Sequence, residues 1–106
     1  MTKAELEVIF LQDIGEPYAV DNRLVFLQAA VNSAIAEIAQ AGIILTTESD
    51  EGGISILDAN LIRMYAAWLV RGRASQEPKP PQLRQALHSR LFAQKMAPAP
   101  EEDPDV

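Results

Sequence analysis

Apolar residues recur at intervals of three and four in four stretches of this chain, the spacing that lines side chains up on one face of an α-helix. In the first stretch Leu6, Ile9, Phe10 and Ile14 make one stripe. Thr2, with Glu5 three residues on, has the form of a capping box, so a helix is predicted from there to about Asp13. Gly15, Glu16 and Pro17 then break it. A longer helix is predicted from a cap at Asp21 or Asn22 to Gly42, a residue suited to the left-handed position beyond a helix end. Leu24, Leu27, Val31, Ile35 and Ile38 form its core face, and alanines at 29, 30, 34, 36 and 39 let another helix approach closely.

The period changes between Gly42 and Leu57. GIILTT and GISIL are short runs rich in β-branched residues around the turn-forming ESDEGG, which predicts a short β-hairpin or an irregular segment. Helical spacing then returns. Asp58 is the expected cap of a third helix with the stripe Leu61, Ile62, Tyr65, Trp68 and Leu69, and Arg71 and Arg73 complement the dipole at its end. ASQEPKPP, residues 74–81, cannot continue a helix and reads as a proline-stiffened connector. Pro81 suits the first turn of a fourth helix running to Met96, with Leu83, Leu87, Leu91 and Phe92 facing inward. The remaining APAPEEDPDV has almost nothing to bury and is expected to be disordered when free. The predicted fold is mainly α: a four-helix domain over 1–96 and a disordered acidic tail over 97–106.

Composition supports one folded unit. At 106 residues, 48% hydrophobic and 23% charged, the chain has the size and make-up of a single globular domain. A domain this small buries only about two-thirds of the surface its unfolded chain exposes, so covering more surface against partners would stabilise it. With no cysteine there are no disulfides, thiolate metal sites or cysteine nucleophiles. The opening MTKAELEVIF lacks the pattern of a signal peptide, and no apolar run approaches the roughly 20 residues that cross a bilayer.

Charge is unevenly spread. Residues 1–57 carry two basic and nine acidic side chains, residues 58–96 seven basic and two acidic, and residues 97–106 four acidic, for a net charge of -6. An acidic front and a basic back on one small domain can attract each other between copies, and head-to-tail contact of that kind closes rings when the rotation permits. Solvated, independent faces account for the same residues equally well.

Residues for chemistry are scarce. One histidine and no cysteine leave no thiol catalysis and no multi-histidine zinc site, His88 lies on a basic helix, and no carboxylate pair has a neighbour that would raise a pKa. The turn acids Glu48, Asp50 and Glu51 lack the ligand spacing of a calcium loop. The residues therefore predict no catalysis, no cofactor and no metal. Seven cations from Arg63 to Lys95 could track phosphates, but without interleaved aromatics or the tight turn of a helix-turn-helix. A small helical nucleic-acid-binding or regulatory module is the alternative they leave open.

The block LIRMYAAWLVRGR at 61–73, the proline-containing linker, and PQLRQALHSRLFAQKM at 81–96 together resemble the small head-tail connector, or head-completion adaptor, proteins of tailed phages. DNRLVFLQAAVNSAIAEIAQAGI at 21–43 fits the same family's opening helix, and the resemblance covers roughly residues 5 to 96. It implies a helical protomer that forms a homo-oligomeric ring under the portal protein, extends the DNA channel and docks the tail or stopper protein. It also implies a place at the head-tail junction of a virion assembled in the host bacterial cytoplasm. Non-specific contact with passing DNA fits such a ring; membrane contact does not. The family transfers no catalytic residue. Arg63, Arg71, Arg73, Arg84, Arg90 and Lys95 become the candidates for interface or channel contacts, and the acidic tail has no family counterpart.

Overall fold

Local chemistry sets the start of each helix. At the first, Thr2 Oγ1 accepts from the Glu5 amide at 3.1 Å while Glu5 Oε1 accepts from the Thr2 amide at 2.8 Å, so the predicted capping box is formed. Such a cap contributes about 1 kcal/mol. The computed structural model describes residues 1–96, in which α1 (Lys3–Asp13), α2 (Asp21–Gln40), α3 (Ile56–Arg71) and α4 (Pro81–Met96) are the helices, with a 3-10 turn at Arg73–Ser75. The tail expected at 97–106 lies outside the described residues.

Two expected caps are corrected. Val20 holds the cap position of α2 without a side-chain bond, and Asp21 is instead the first helical residue, at a φ of 55°. Fixing that turn falls to Glu16, whose two carboxylate oxygens accept from Arg23 Nε and Nη2 at 2.7 and 2.5 Å. At α3 the cap is Ser55, whose hydroxyl accepts from the Asp58 amide at 3.1 Å. Asp58 itself lies inside the first turn and points into the protein.

α3 is the central element and packs on α1, α2 and α4. Of the stripes the spacing predicts, Leu6, Phe10 and Ile14, then Leu27, Val31 and Ile38 of α2, and Leu61, Ile62 and Tyr65 of α3 are buried, whereas Ile9, Leu24, Ile35, Trp68 and Leu69 are half-buried. Ala34 and Ala66 are fully buried, so the small residues of α2 and α3 do bring the two helices close. α4 differs from the other three. Leu83 is its sole fully buried side chain, Leu87 and Leu91 lean partly onto the core, and Phe92, expected inside, is 59% exposed.

Residues 42–55 form no hairpin, and there is no strand among the described residues. The reason lies in where the backbone bonds go. The Ile44 amide donates to Gln94 Oε1 at 2.9 Å, the Thr46 amide to Asp58 Oδ2 at 2.7 Å and the Ser55 amide to Thr46 Oγ1 at 2.8 Å. Ile54 pairs with Met1 instead: its amide donates to the Met1 carbonyl, and its carbonyl accepts from the Met1 amine, both at 2.8 Å. Donors and acceptors that would build a ladder are satisfied by side chains and by the start of the chain, so the β-branched runs are held extended with no strand partner of their own.

Asp58 is the hub of these bonds. Its carboxylate is 1% exposed and accepts from the Thr46 amide, from Thr46 Oγ1 at 2.6 Å and from Arg90 of α4. Arg90 also donates to the Ile44 carbonyl at 2.8 Å, and Gln94 Nε2 to the Gly42 carbonyl at 2.8 Å. Burial pushes the Asp58 carboxyl up, but the Arg90 guanidinium and the Thr46 hydroxyl and amide outweigh it and hold the group below its ordinary value. A depressed folded-state pKa contributes stability that is fully present above the unfolded value, about pH 4, and is lost as pH falls through the folded one. Asp58→Asn should cost about 3 kcal/mol, read as a lower urea midpoint at unchanged slope, because it leaves Arg90 without its counter-charge. The variant should also lose this share of the acid dependence below about pH 4. Parent-like stability at neutral pH would show that the hub does not hold α4.

Candidate functional site

The cations expected at an interface divide into two groups. Arg63 of α3 gives Nε and Nη2 to the two oxygens of Asp13 at 2.6 and 2.8 Å and Nη1 to Asn60 at 3.0 Å, a bidentate fork that ties α3 to the end of α1. Arg73 reaches Glu37 of α2 at 2.6 Å, and Arg90 is engaged by Asp58. These three bind the fold to itself. Arg71, Arg84 and Lys95 are exposed and make no ion pair among the described residues. With exposed His88, Arg84 and Lys95 share the outer face of α4, since residues four and eleven apart return to the same side of a helix.

Around Arg73 an aromatic cluster closes the end of α3. Tyr65 and Trp68 meet edge to face with ring centroids 5.7 Å apart, Tyr65 Oη donates to Glu37 Oε1 at 2.9 Å, and Trp68 Nε1 donates to the Glu77 carbonyl at 3.1 Å. Arg73 and Lys79 sit over the Trp68 ring, 5.1 and 4.7 Å from its centroid. Gly72 makes room for that ring, because a Cβ there would stand 2.5 Å from Trp68 Cδ1. Burial pushes the Tyr65 phenol up to about 12, aided by the hydrogen bond to Glu37. Glu37 in turn is held below the usual carboxylate range, chiefly by its hydrogen bond from Arg73.

α3 and α4 run antiparallel and leave a crevice between them. Near the start of α3 it is lined by Leu57, Asn60, Leu61 and Met64 against Ala86, Ser89, Arg90 and Ala93, with a volume of about 340 Å³. Met64 continues into a second stretch of about 470 Å³, where Ala67, Trp68 and Arg71 face Pro80, Gln82 and Leu83, with Glu77 at the rim. The crevice is therefore apolar along its floor and charged at the α3 end.

Lys79 and Glu37 escaped the reading of the sequence: the first sits in a linker and the second on a helix face with no local partner. Tyr65 and Trp68 lie on the stripe that helical spacing predicts, and both pack on the core. Among the described residues no three His, Asp or Glu side chains stand together as a metal-ligand group, and no helix is long and apolar enough to cross a membrane. No family model, curated protein or solved structure matches the chain.

A Tyr18→Phe variant leaves Tyr65 as the single phenol. Its near-ultraviolet absorbance should show ionisation only at about pH 12. Adding Glu37→Gln should move that ionisation to lower pH, since the hydrogen bond and charge of Glu37 both oppose loss of the proton. An unmoved titration would mean that burial alone sets the value.

Proposed function

We propose that this chain is a non-catalytic structural assembly protein of the phage head-tail connector type. In this reading it forms a homo-oligomeric ring under a portal protein, lines a DNA channel and offers a face to a tail or stopper protein. The observation that carries the reading is the placement of large apolar side chains in water. Val25 and Phe26 on α2 are 64% and 50% exposed, Ile56 and Leu57 at the start of α3 are 73% and 76% exposed, and Phe92 stands out from α4. These are unlike surfaces on different helices. A head-to-tail contact joins two different patches, whereas a two-fold dimer needs one self-complementary patch, so such a distribution fits a ring. The resemblance of residues 61–73 and 81–96 to connector proteins supplies the biological setting.

Electrostatics supports the same direction. The outer face of α4 presents Arg84 and Lys95 without an ion pair among the described residues, and the exposed turn after α2 presents Glu48, Asp50 and Glu51. Opposite charges on separate elements steer copies into head-to-tail register. The α4 face also favours a second reading, a small helical module that binds nucleic acid, because two arginine or lysine side chains and a histidine along one helix can follow phosphates. The two readings separate in solution. Multi-angle light scattering at high protein concentration and low salt should show large oligomers of the parent. The Arg84→Glu, Lys95→Glu variant should stay small under the same conditions with unchanged helical circular dichroism. A protein that remains monomeric, with and without portal, yet shifts duplex DNA would overturn assembly in favour of nucleic-acid binding.

A further inference from the structure

We propose that the outer face of α2 is a two-fold contact with a second copy of this chain, the two α2 helices lying antiparallel and centred on Val31. The inference goes beyond the assembly reading. A two-fold contact closes on itself and joins two protomers, or two rings back to back. It takes Val25 and Phe26 and leaves Ile56, Leu57 and Phe92 to head-to-tail contacts.

The starting point is a missing charge. α2 holds three charged side chains: Asp21 and Arg23 at its start, and Glu37, which is half-buried and bonded to Tyr65 and Arg73. Asn22, Phe26, Ala29, Ser33, Ala36 and Gln40 run down the outer side, all exposed and all uncharged, along a helix of ~30 Å. The exposed sides of the other helices are charged, with Glu5 and Asp13 on α1, Arg71 on α3, and Arg84 and Lys95 on α4. Depletion of charge around an aromatic side chain is the signature of an interface centre.

Spacing names the occupant. The six residues stand four, three, four, three and four apart, the alternation of a coiled-coil seam, and the series reads the same from either end. Only a copy of the same helix, run the opposite way, needs that symmetry. It brings Asn22 level with the other Gln40, Phe26 with Ala36, and Ala29 with Ser33. Each Phe26 ring then enters the hole between Ser33, Ala36, Glu37 and Gln40 of the other copy, and the small residues at the middle let the backbones approach. Parallel pairing would set the two Phe26 rings against each other and leave the small residues facing across a gap.

Charge agrees with the antiparallel register. Arg23 and Glu37 lie on one flank of the seam, eight and six residues from Val31, so each comes beside the opposite charge of the other copy. Both have bonding capacity to spare. Glu16 accepts from Arg23 Nε and Nη2, and Nη1 is left; Arg73 and Tyr65 both donate to Glu37 Oε1, and Oε2 accepts nothing among the described residues.

Salt separates this contact from charge-steered ones. In ~1 M salt the Debye length is about 3 Å, so head-to-tail steering is screened while apolar packing persists. Light scattering of the concentrated full chain there should give twice the 11.6 kDa of one copy. Ala29→Arg, an exposed substitution by a good helix former, should return the single mass with helical circular dichroism unchanged. The absence of cysteine lets the register be read by cross-linking. An equal mixture of Asn22→Cys and Gln40→Cys proteins should be joined by a short bis-maleimide into dimers holding one of each. Neither variant alone should be joined, because like positions stand eighteen residues of helix apart, ~27 Å. A parent of single mass in high salt, an unchanged mass in Ala29→Arg, or joining of Asn22→Cys to itself would each overturn the proposal. Dimers in high salt with nothing larger in low salt would uphold it and count against the ring alone.

Discussion

A carboxylate excluded from water must be satisfied by the protein, and around Asp58 that requirement organises the segment between α2 and α3 and the seat of α4. Its oxygens accept from Thr46 twice and from Arg90, so one side chain joins the start of α3, the segment after α2 and the middle of α4. An apolar pair of similar volume could contribute as much stability to a core. It would not choose a register. Hydrogen bonds to a carboxylate are directional, and these fix which residue of α4 stands opposite which residue of α3. Because Arg90 also reaches the Ile44 carbonyl, and Gln94 brackets the same stretch through Gly42 and Ile44, α4 replaces the partner strand that residues 42–46 would otherwise need.

How much of this the sequence reveals depends on the range of the interaction. Stripes such as Leu27, Val31 and Ile38 are legible because the helix period is local and the core is on one side. The capping box at Thr2 and Glu5 is legible for the same reason. The start of α3 is ambiguous locally, since Ser55 and Asp58 are both good cap residues three apart, and only burial of the second decides between them. β-Branched runs at 43–46 and 54–56 announce an extended backbone without saying what will pair with it. Here side chains and Met1 do so.

Ion pairs are the least legible layer. Arg63 finds Asp13 at a separation of 50 residues, Arg73 finds Glu37 at 36 and Arg90 finds Asp58 at 32, and nothing in local spacing marks these partners. Two of the three acids belong to the acidic first half of the chain. Part of the charge asymmetry is therefore consumed inside the fold, where the basic second half docks on the acidic first. The candidate interface residues separate accordingly: Arg63, Arg73 and Arg90 position helices, and Arg71, Arg84 and Lys95 present charge to the outside.

The same division sets how the helices are held. α1, α2 and α3 share a contiguous apolar core, whose attraction is non-directional and little affected by salt or moderate acid. α4 rests on Leu83, on the half-buried Ala86, Leu87 and Leu91, and on polar bonds through Arg90 and Gln94. Polar anchors answer to a different set of conditions, since protonating one carboxylate or displacing one guanidinium releases them while the core stays intact. Local openings are cheapest where buried apolar contact is least, which places α4 at the low end of the stability gradient. A partner that covers the crevice beside α4 adds apolar contact where the molecule has least of its own. Its binding energy thus goes directly into ordering the helix that carries Arg84 and Lys95.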